Sequence, residues 1–599
     1  MPKEDSTISS ELLLGILRDY WSDLPNWFGE QWYDVETELL QLYQTLNQNN
    51  LTERDTVVKF PEVFERCPRA REQLGQLLQD GGLIHRGVGS AAPVTRYAEL
   101  SCQRRIWRRE REVPVLLYLR RQGRQGACPV DLDPARPVHA LLDAPGFDII
   151  GDRKQIIDIP KNGDSAPAAF LIRPTDVGTF DITVDLFQDH DLVCSIAVEV
   201  QVIDDECSDD PVERRAELSG ERPVRPADFT LLISHNRTAT PEKLDFSLID
   251  RRTDNVVDYG PTELPGDLTR YVSDLYRELI DMAHGVDAHA KGSDVELRGS
   301  SADRRLRQIG RSLWADLIPP ALKQQYHSER DQWRGKSIIV MSDEPYVPWE
   351  LVWPWDADGE VPPDLDPWCI TMRMTRWLRK SSKRKPNTVP RLQFSVRAMA
   401  VLSPSDSDLE YARHERDFLC NMQEENEIDD VTPQSQTYEP VMDMLERDNY
   451  DWVHCSSHGH RAAHDVNAPA VILLHGGQSL TTAALAGPAG PRIRKQRPAF
   501  IFNACDAGYR RMALTDIDGW ADRLISTGAG LFIGPLWPVR DRTAAEFGRA
   551  LYSALLDGHP VADAVHRARL AARESGDPSW LAYTIYAHPN AEVTFGHRG

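Results

Sequence analysis

The sequence predicts a multidomain protein in which a C-terminal α/β region is preceded by a small β-sandwich and an N-terminal, mainly helical domain. The 599 residues are too many for one hydrophobic core, because single cores stop growing at about 250–300 residues. The spacing of apolar residues changes from helical to alternating near residue 100. Beyond about residue 227, predicted strands and helices alternate, which is typical of an α/β domain with a largely parallel sheet.

The mainly helical domain is predicted over residues 1–95, where one apolar face is formed by Val35, Leu39, Leu42, Tyr43 and Leu46. A small adaptor or sensor domain and a compact helical cap are both consistent with this segment. Residues 100–205 are predicted to form an immunoglobulin-like β-sandwich, because apolar residues alternate with polar ones over 180–186 and 196–202.

The α/β region is expected to follow a linker over residues 206–227, an acidic stretch punctuated by proline. We divide the region into residues 228–390 and residues 391–599. The first part contains a predicted buried strand at 337–341, and the second opens with a predicted strand at 394–401.

A basic run at residues 376–386 lies between these two parts. We interpret it as a solvated connector. A processed loop and a patch for an anionic partner are the alternatives.

Composition excludes several classes of function. The net charge of −23 argues against general nucleic-acid binding, which requires clustered basic side chains. The nine cysteines include no Cys-x-x-Cys pair, so we expect a reducing compartment, without a disulfide scaffold or a zinc site. Neither a signal peptide nor a membrane span is predicted. The expected location is therefore cytoplasmic, with no membrane partner.

Two apolar segments near the C-terminus each end at a turn of small residues. His458 lies in the first turn and Cys505 in the second, 47 positions later. Turns at the ends of neighbouring parallel strands share one crevice, and a catalytic thiol needs a base to remove its proton. This pattern indicates Cys505 as a nucleophile and His458 as its general base. The backbone amides of Gly459 and Cys505 are the expected oxyanion donors.

An inert buried thiol and a metal site are the alternatives to catalysis. We interpret Cys194 and Cys455 as inert buried thiols. The histidines of the first turn could bind a metal, but no carboxylate or second cluster lies at ligand spacing. The sequence therefore predicts neither a metal nor a cofactor.

The C-terminal region resembles the CHAT family of clan CD cysteine peptidases, bacterial relatives of caspases and separase, over about residues 230–597. Six segments carry the resemblance: Val-Pro-Trp-Glu-Leu at 347–351, Ser-His-Gly at 457–459, Asn-Ala-Cys at 503–505, the segment 528–539, a predicted helix with Phe547, Leu551, Tyr552 and Leu555, and Asp-Pro-Ser-Trp-Leu-Ala-Tyr at 577–583. Family members often carry helical repeat arrays, whereas this chain has a short helical region and a sandwich.

The resemblance implies a caspase-like fold, with residues 228–390 as a non-catalytic half and residues 391–599 as the catalytic half. It implies His458 as general base and Cys505 as nucleophile. It also implies that Trp537 lies beside the substrate groove, for which packing of a strand end is the alternative. Asp506, with Asp516 and Asp518, could supply an acidic pocket for a basic substrate residue.

The expected function is that of a cytoplasmic cysteine endopeptidase acting on protein substrates in a bacterial defence or cell-death pathway. An upstream protein or signal would activate it through residues 1–205. The alternative is a catalytically silent caspase-like scaffold or signal-binding module that recruits partners.

Overall fold

The computed structural model describes residues 94–204, 211–215, 227–287, 293–355, 366–379, 389–503 and 516–596, apart from gaps at 111, 123–128, 135, 161–163, 189–190, 238–240, 253–254, 265, 405–409, 448, 458, 461–470 and 575. Of the first 93 residues it describes 7–9, 57–59 and seven single positions. The chain divides into two compact units, Met1–Gly220 with Ser381–Val389 and Glu221–Lys380 with Pro390–Gly599.

The start of the first unit contains both helical positions and a strand pair. Strands β1 (Thr7–Ser9) and β2 (Val57–Lys59) pair in antiparallel fashion. Five single positions between them are helical and buried: Leu17, Leu24, Phe28, Val35 and Leu39. The strand pair was not part of the expectation of a mainly helical domain, since its two strands lie about 50 residues apart in the sequence.

The rest of the first unit is a two-layered β-sandwich. Its strands are β3 (Val94–Gln103), β4 (Arg105–Trp107), β5 (Val113–Arg120), β6 (Pro129–Leu132), β7 (Val138–Asp143), β8 (Phe147–Ile150), β9 (Lys154–Ile157), β10 (Ala168–Pro174), β11 (Gly178–Gln188), β12 (Asp191–Ile203) and β13 (Pro211–Arg215). One sheet has the order β13-β3-β5-β10-β8, with β6 also paired to β3, and the other has the order β4-β12-β11-β7-β9.

The alternating segments of the sequence form the longest ladder of this sandwich. Phe180, Ile182 and Val184 of β11 lie opposite Val200, Val198 and Ile196 of β12. All six side chains are buried in one core shared by both sheets, as the period of two requires. Within the stretch expected as a linker, β13 pairs with β3, so residues 211–215 belong to the sheet.

The second unit is a mixed α/β structure. Its strands are β14 (Phe229–Asn236), β15 (Lys243–Asp250), β16 (Asn255–Glu263), β17 (Ser337–Ser342), β18 (Arg373–Leu378), β19 (Gln393–Val396), β20 (Ala398–Leu402), β21 (Asp429–Asp430), β22 (Trp452–Cys455), β23 (Gly459–His460), β24 (Val471–Leu473), β25 (Ser479–Thr481), β26 (Ala499–Phe502), β27 (Leu531–Pro535), β28 (Tyr583–Tyr586) and β29 (Glu592–Phe595). Its α-helices are α1 (Leu268–Asp287), α2 (Ser293–Leu317), α3 (Pro320–Trp333), α4 (Trp368–Thr371), α5 (Glu410–Glu425), α6 (Tyr438–Leu445), α7 (Ala489–Gln496), α8 (Asp516–Thr527), α9 (Asp541–Leu556) and α10 (Val561–Arg573).

One sheet of eleven strands organises this unit, in the order β16-β15-β14-β17-β18-β28-β27-β26-β22-β20-β21. Strands β14, β17, β18 and β28 are parallel to one another, and so are β27, β26, β22 and β20. The two sets meet where β27 pairs with β28 in antiparallel fashion. The carboxyl ends of the two sets therefore lie at opposite edges of the sheet.

The predicted strand at 394–401 is wrong as a single element. Strand β19 pairs with β29 in a separate two-stranded sheet, whereas β20 joins the large sheet. The break falls at Arg397, where the Asp451 carboxylate accepts hydrogen bonds from the amides of Arg397 and Ala398. The predicted strand at 337–341 is confirmed as β17, which is buried at every position.

The interpretation of the basic run as a solvated connector is also wrong for its first residues. Arg376 lies in β18 and is 2% exposed. Arg379 comes directly after the end of β18 and is 6% exposed. Arg376 donates to the carbonyl oxygen of Pro345 at 2.9 Å and lies 3.5 Å from the Glu350 carboxylate. These partners offset the loss of hydration that burial imposes on a guanidinium group.

Glu350 also links β18 and β28, two neighbouring strands of the same parallel set. The Thr584 hydroxyl of β28 donates to Oε1 of Glu350 at 2.6 Å, and Oε2 faces Arg376 of β18. The backbone ladder between β18 and β28 consists of one residue pair, Arg376 opposite Tyr586. Side chains therefore supplement a short ladder at this position.

No helix in the described part of the chain is long and apolar enough to cross a membrane.

Replacement of Gly310 in α2 by alanine is expected to destabilise the second unit. The added Cβ would lie 2.2 Å from the carbonyl oxygen of Leu351 and 2.8 Å from Cβ of Trp353. Overpacking of this kind costs roughly 1–3 kcal/mol, which thermal unfolding would detect as a lower Tm. Gly266→Ala is the control, because no atom lies within 4 Å of its added Cβ. Equal Tm values for the two variants would contradict the prediction.

Candidate active site at the ends of two parallel strands

The two strands that lead to the predicted dyad are neighbours in the sheet. β22 pairs with β26 in parallel, and Cys455 lies opposite Phe502. His458 follows Cys455 by three positions, and Cys505 follows Phe502 by three positions. The prediction of neighbouring parallel strands is confirmed. His458, Cys505 and Asp506 themselves lie outside the described residues, so their roles stay predictions.

A buried carboxylate lies beneath both strand ends. Glu415 of α5 is 4% exposed. Its Oε2 accepts a hydrogen bond from the Ser456 hydroxyl at 2.5 Å, and its Oε1 accepts one from Nδ2 of Asn503 at 2.6 Å. Ser456 comes directly after β22, and Asn503 comes directly after β26. One side chain therefore contacts both segments.

The hydrogen bonds extend from Ser456 into the core. Nε2 of His454 lies 2.9 Å from the Ser456 hydroxyl oxygen, and its Nδ1 lies 3.0 Å from the Tyr552 hydroxyl oxygen. Nε1 of Trp452 donates to the same Tyr552 oxygen at 2.8 Å. Burial raises the pKa of Tyr552 well above its ordinary value, and the nearby Glu415 carboxylate adds to the shift. Tyr552 therefore stays a neutral phenol.

The branch on the other side of Glu415 begins at Asn503. Besides its bond to Glu415, Nδ2 of Asn503 donates to the carbonyl oxygen of Ala544 in α9 at 2.9 Å. Its Oδ1 accepts a bond from the Tyr583 hydroxyl of β28. The Tyr583 ring stacks on Phe547 of α9 with ring centroids 3.5 Å apart. Packing and hydrogen bonds together therefore hold the end of β26.

The first turn continues into a small sheet. The Ser457 hydroxyl donates to the carbonyl oxygen of Leu473 in β24. Gly459, one of the expected oxyanion donors, begins β23 and lies opposite Ile472 of β24. The backbone on either side of position 458 is therefore held by defined contacts.

Trp537 lies in the hydrophobic core two residues after β27. Its side chain is 0% exposed, and its indole N–H has no hydrogen-bond acceptor among the residues that the structure describes. This burial favours packing of the strand end over contact with substrate. Asp516 and Asp518 lie at the start of α8.

The two thiols interpreted as inert are buried. Cys194 is 0% exposed and Cys455 is 1% exposed. Burial raises the pKa of Cys455 to about 12, and the Glu415 carboxylate contributes to the shift. Cys455 is therefore protonated at neutral pH and does not act as a thiolate nucleophile. Within the described ranges no group of three or more His, Cys, Asp or Glu residues is placed to hold a metal ion.

Sequence reasoning did not identify Glu415, although a signal was present. The buried positions of α5 include Ala412, Glu415, Leu419 and Met422, which follow the 3–4 spacing of one helix face. A glutamate within such an apolar stripe is unusual, because carboxylates are seldom fully buried without partners. The helical period could therefore have marked Glu415 as a buried polar group.

Removal of the Tyr552 hydroxyl is expected to destabilise the second unit. Tyr552→Phe leaves Nε1 of Trp452 and Nδ1 of His454 buried without this partner, at a cost of roughly 2–4 kcal/mol in the free energy of unfolding. Urea denaturation would measure the change. Tyr271→Phe is the control, because its hydroxyl donates to Asp316 at the surface and its loss should cost under about 1 kcal/mol. Similar losses in the two variants would refute the prediction.

Comparison with solved structures gives distant similarities. A Saccharomyces cerevisiae separase in complex with securin is 11% identical, with a TM-score of 0.33, over 60% of this chain and 30% of the separase chain. A Porphyromonas gingivalis complex of RgpB pro- and mature domains is 13% identical, with a TM-score of 0.28, over 55% of this chain and 78% of that one. The match thus spans less than a third of the separase chain. No curated protein sequence matches the chain.

The family model of the CHAT domain matches residues 307–591. This range contains the parallel strands β20, β22, β26 and β27, the carboxylate beneath them, and both turns. It begins later than residue 230, where the resemblance in the sequence was expected to start. The resemblance is confirmed over the matched range, residues 307–591.

Proposed function

We propose that the protein is a caspase-like cysteine endopeptidase, with Cys505 as nucleophile and His458 as general base. The observation that supports this best is the register of β22 and β26. The paired positions Cys455 and Phe502 end the two strands at the same edge of the sheet, and in the sequence each predicted residue comes three positions after one of them. Ligand and catalytic groups of parallel sheets gather at such carboxyl edges.

The proposed reaction is transfer of an acyl group through the thiol. His458 takes the proton of the Cys505 thiol, and the thiolate attacks the carbonyl carbon of the scissile peptide bond. The amides of Gly459 and Cys505 stabilise the oxyanion of the tetrahedral intermediate. Collapse breaks the C–N bond, and the imidazolium of His458 gives its proton to the leaving amine. Water, activated by His458, then hydrolyses the thioester and restores the free thiol.

The proposed substrate is a protein with a basic residue before the scissile bond. Asp506 follows the nucleophile directly, and Asp516 and Asp518 begin α8. A carboxylate in this position would pair with a lysine or arginine side chain. Trp537 is a weaker candidate for substrate contact, since its side chain is buried.

Activation is proposed to depend on residues 1–205 and on an upstream protein or signal in a bacterial defence pathway. The division of the chain into two compact units supports a separate role for this part. The sandwich has its own continuous core, as an independent binding domain would need.

Cys505→Ala is expected to abolish peptidase activity. Loss of the nucleophile should lower kcat/KM for a peptide with arginine before the scissile bond by at least about 10³-fold. A peptide chloromethyl ketone with the same arginine should alkylate Cys505 in the wild-type chain, and mass spectrometry of tryptic peptides would locate the adduct.

Cys455→Ala is the matched control, because this thiol is buried and its pKa is raised to about 12. It should retain both cleavage and labelling of Cys505. Cleavage that persists in Cys505→Ala would refute the assignment of the nucleophile. Absence of labelling in the purified chain and in extracts of producing cells would favour the silent scaffold.

A further inference from the structure

We propose that Glu415 is the positioning residue of this site, because its one carboxylate holds the ends of both strands that lead to the dyad. The inference rests on the proposed function for its catalytic meaning. Ser456 precedes His458 by two positions, and Asn503 precedes Cys505 by two positions. Both donate to Glu415, at 2.5 and 2.6 Å.

The first branch of hydrogen bonds has a direction. Because the single hydroxyl proton of Ser456 is donated to Glu415, the serine oxygen must accept its 2.9 Å bond from Nε2 of His454. The Tyr552 hydroxyl then donates to Nδ1 of His454, the ring nitrogen that does not face Ser456. The Tyr552 oxygen in turn accepts from Nε1 of Trp452. Every donor in this branch points toward the carboxylate.

The second branch runs toward the same group. The Tyr583 hydroxyl donates to Oδ1 of Asn503, and Nδ2 of Asn503 donates to Glu415 and to the Ala544 carbonyl oxygen. A flipped amide would place Oδ1 against that carbonyl oxygen. The orientation of Asn503 is therefore fixed by three partners.

An acceptor-only group is required where the two branches meet. A carboxylate has acceptor positions and no donor, whereas a glutamine amide must donate from one of its two ends. Glutamine at position 415 would direct N–H bonds at either Ser456 or Asn503, both of which donate toward that position. One branch would have to reverse or lose its hydrogen bond.

The lack of space beside Gly548 also restricts where the Glu415 carboxylate can lie. A Cβ added to Gly548 of α9 would lie 2.0 Å from Oε1 of Glu415 and 3.3 Å from Nδ2 of Asn503. The backbone of α9 thus lies directly against the bond between Glu415 and Asn503. Gly548→Ala is a second way to displace the carboxylate without changing its charge.

The test compares Glu415→Gln with Glu344→Gln in the full chain. Glu344 is also buried, and it accepts bonds from the amides of Tyr346 and Val347. It follows β17, which three strands of the sheet separate from β26. With an arginine peptide as substrate, Glu415→Gln should lower kcat roughly 10- to 100-fold, with KM within about twofold, because small displacements of reacting groups cost rates of this order. Gly548→Ala should act in the same direction. Glu344→Gln should lower Tm and leave kcat within about twofold.

Hydrogen–deuterium exchange gives a readout that does not depend on catalysis. Peptides that cover residues 451–457 and 499–503 should both exchange faster in Glu415→Gln and remain unchanged in Glu344→Gln. Unchanged kcat in a folded Glu415→Gln, or unchanged exchange in either strand end, would overturn the inference. If the wild type neither cleaves the peptide nor reacts with the chloromethyl ketone, both as the purified chain and in extracts of producing cells, the proposed function fails, and exchange alone decides the positioning role.

Discussion

Strands β22 and β26 are buried at every position, so the alternation that fixes register in a half-buried sheet is missing from both. A slip of one residue would exchange one buried side chain for another. The polar groups at the strand ends supply the missing constraint. With Cys455 opposite Phe502, Ser456 and Asn503 both reach one carboxylate. The relative position of the two turns therefore depends on Glu415, and with it any chemistry that the turns perform together.

Stability alone does not account for this carboxylate. A buried charge loses its hydration, and a well-packed apolar side chain of similar volume often gives equal or greater stability. The network offsets part of that cost, because each buried donor finds an acceptor and the carboxylate accepts from two of them. An apolar side chain could not accept the hydrogen bonds of Ser456 and Asn503, and so could not fix the direction in which the two branches donate. Arg376 and Glu350 follow the same logic elsewhere in the unit, where a buried charged pair joins strands that share little backbone pairing.

The sequence predicted the elements that depend on local pattern. The alternation in β11 and β12 gave both strands of a long ladder, and the apolar run in β17 gave a buried strand. Features that depend on distant contacts were missed. The bend at Arg397 is set by Asp451, more than fifty residues away, and the burial of Arg376 depends on Glu350. The dyad was inferred from two turns, whereas the group that joins them lies on a helix forty residues earlier. His458 and Cys505 themselves remain predictions.

The eleven-stranded sheet is continuous, yet it is not uniform in stiffness. Most of its internal ladders run for several residues, whereas β18 and β28 share one pair, Arg376 opposite Tyr586. A ladder of backbone hydrogen bonds resists twisting along its whole length, while the Arg376–Glu350 contact at 3.5 Å tolerates small rotations without breaking. We therefore expect small rotations within the sheet to be accommodated more readily between β18 and β28 than along its longer ladders. A rotation taken up between β18 and β28 would leave the register of β22 with β26 unchanged, because four residue pairs hold it.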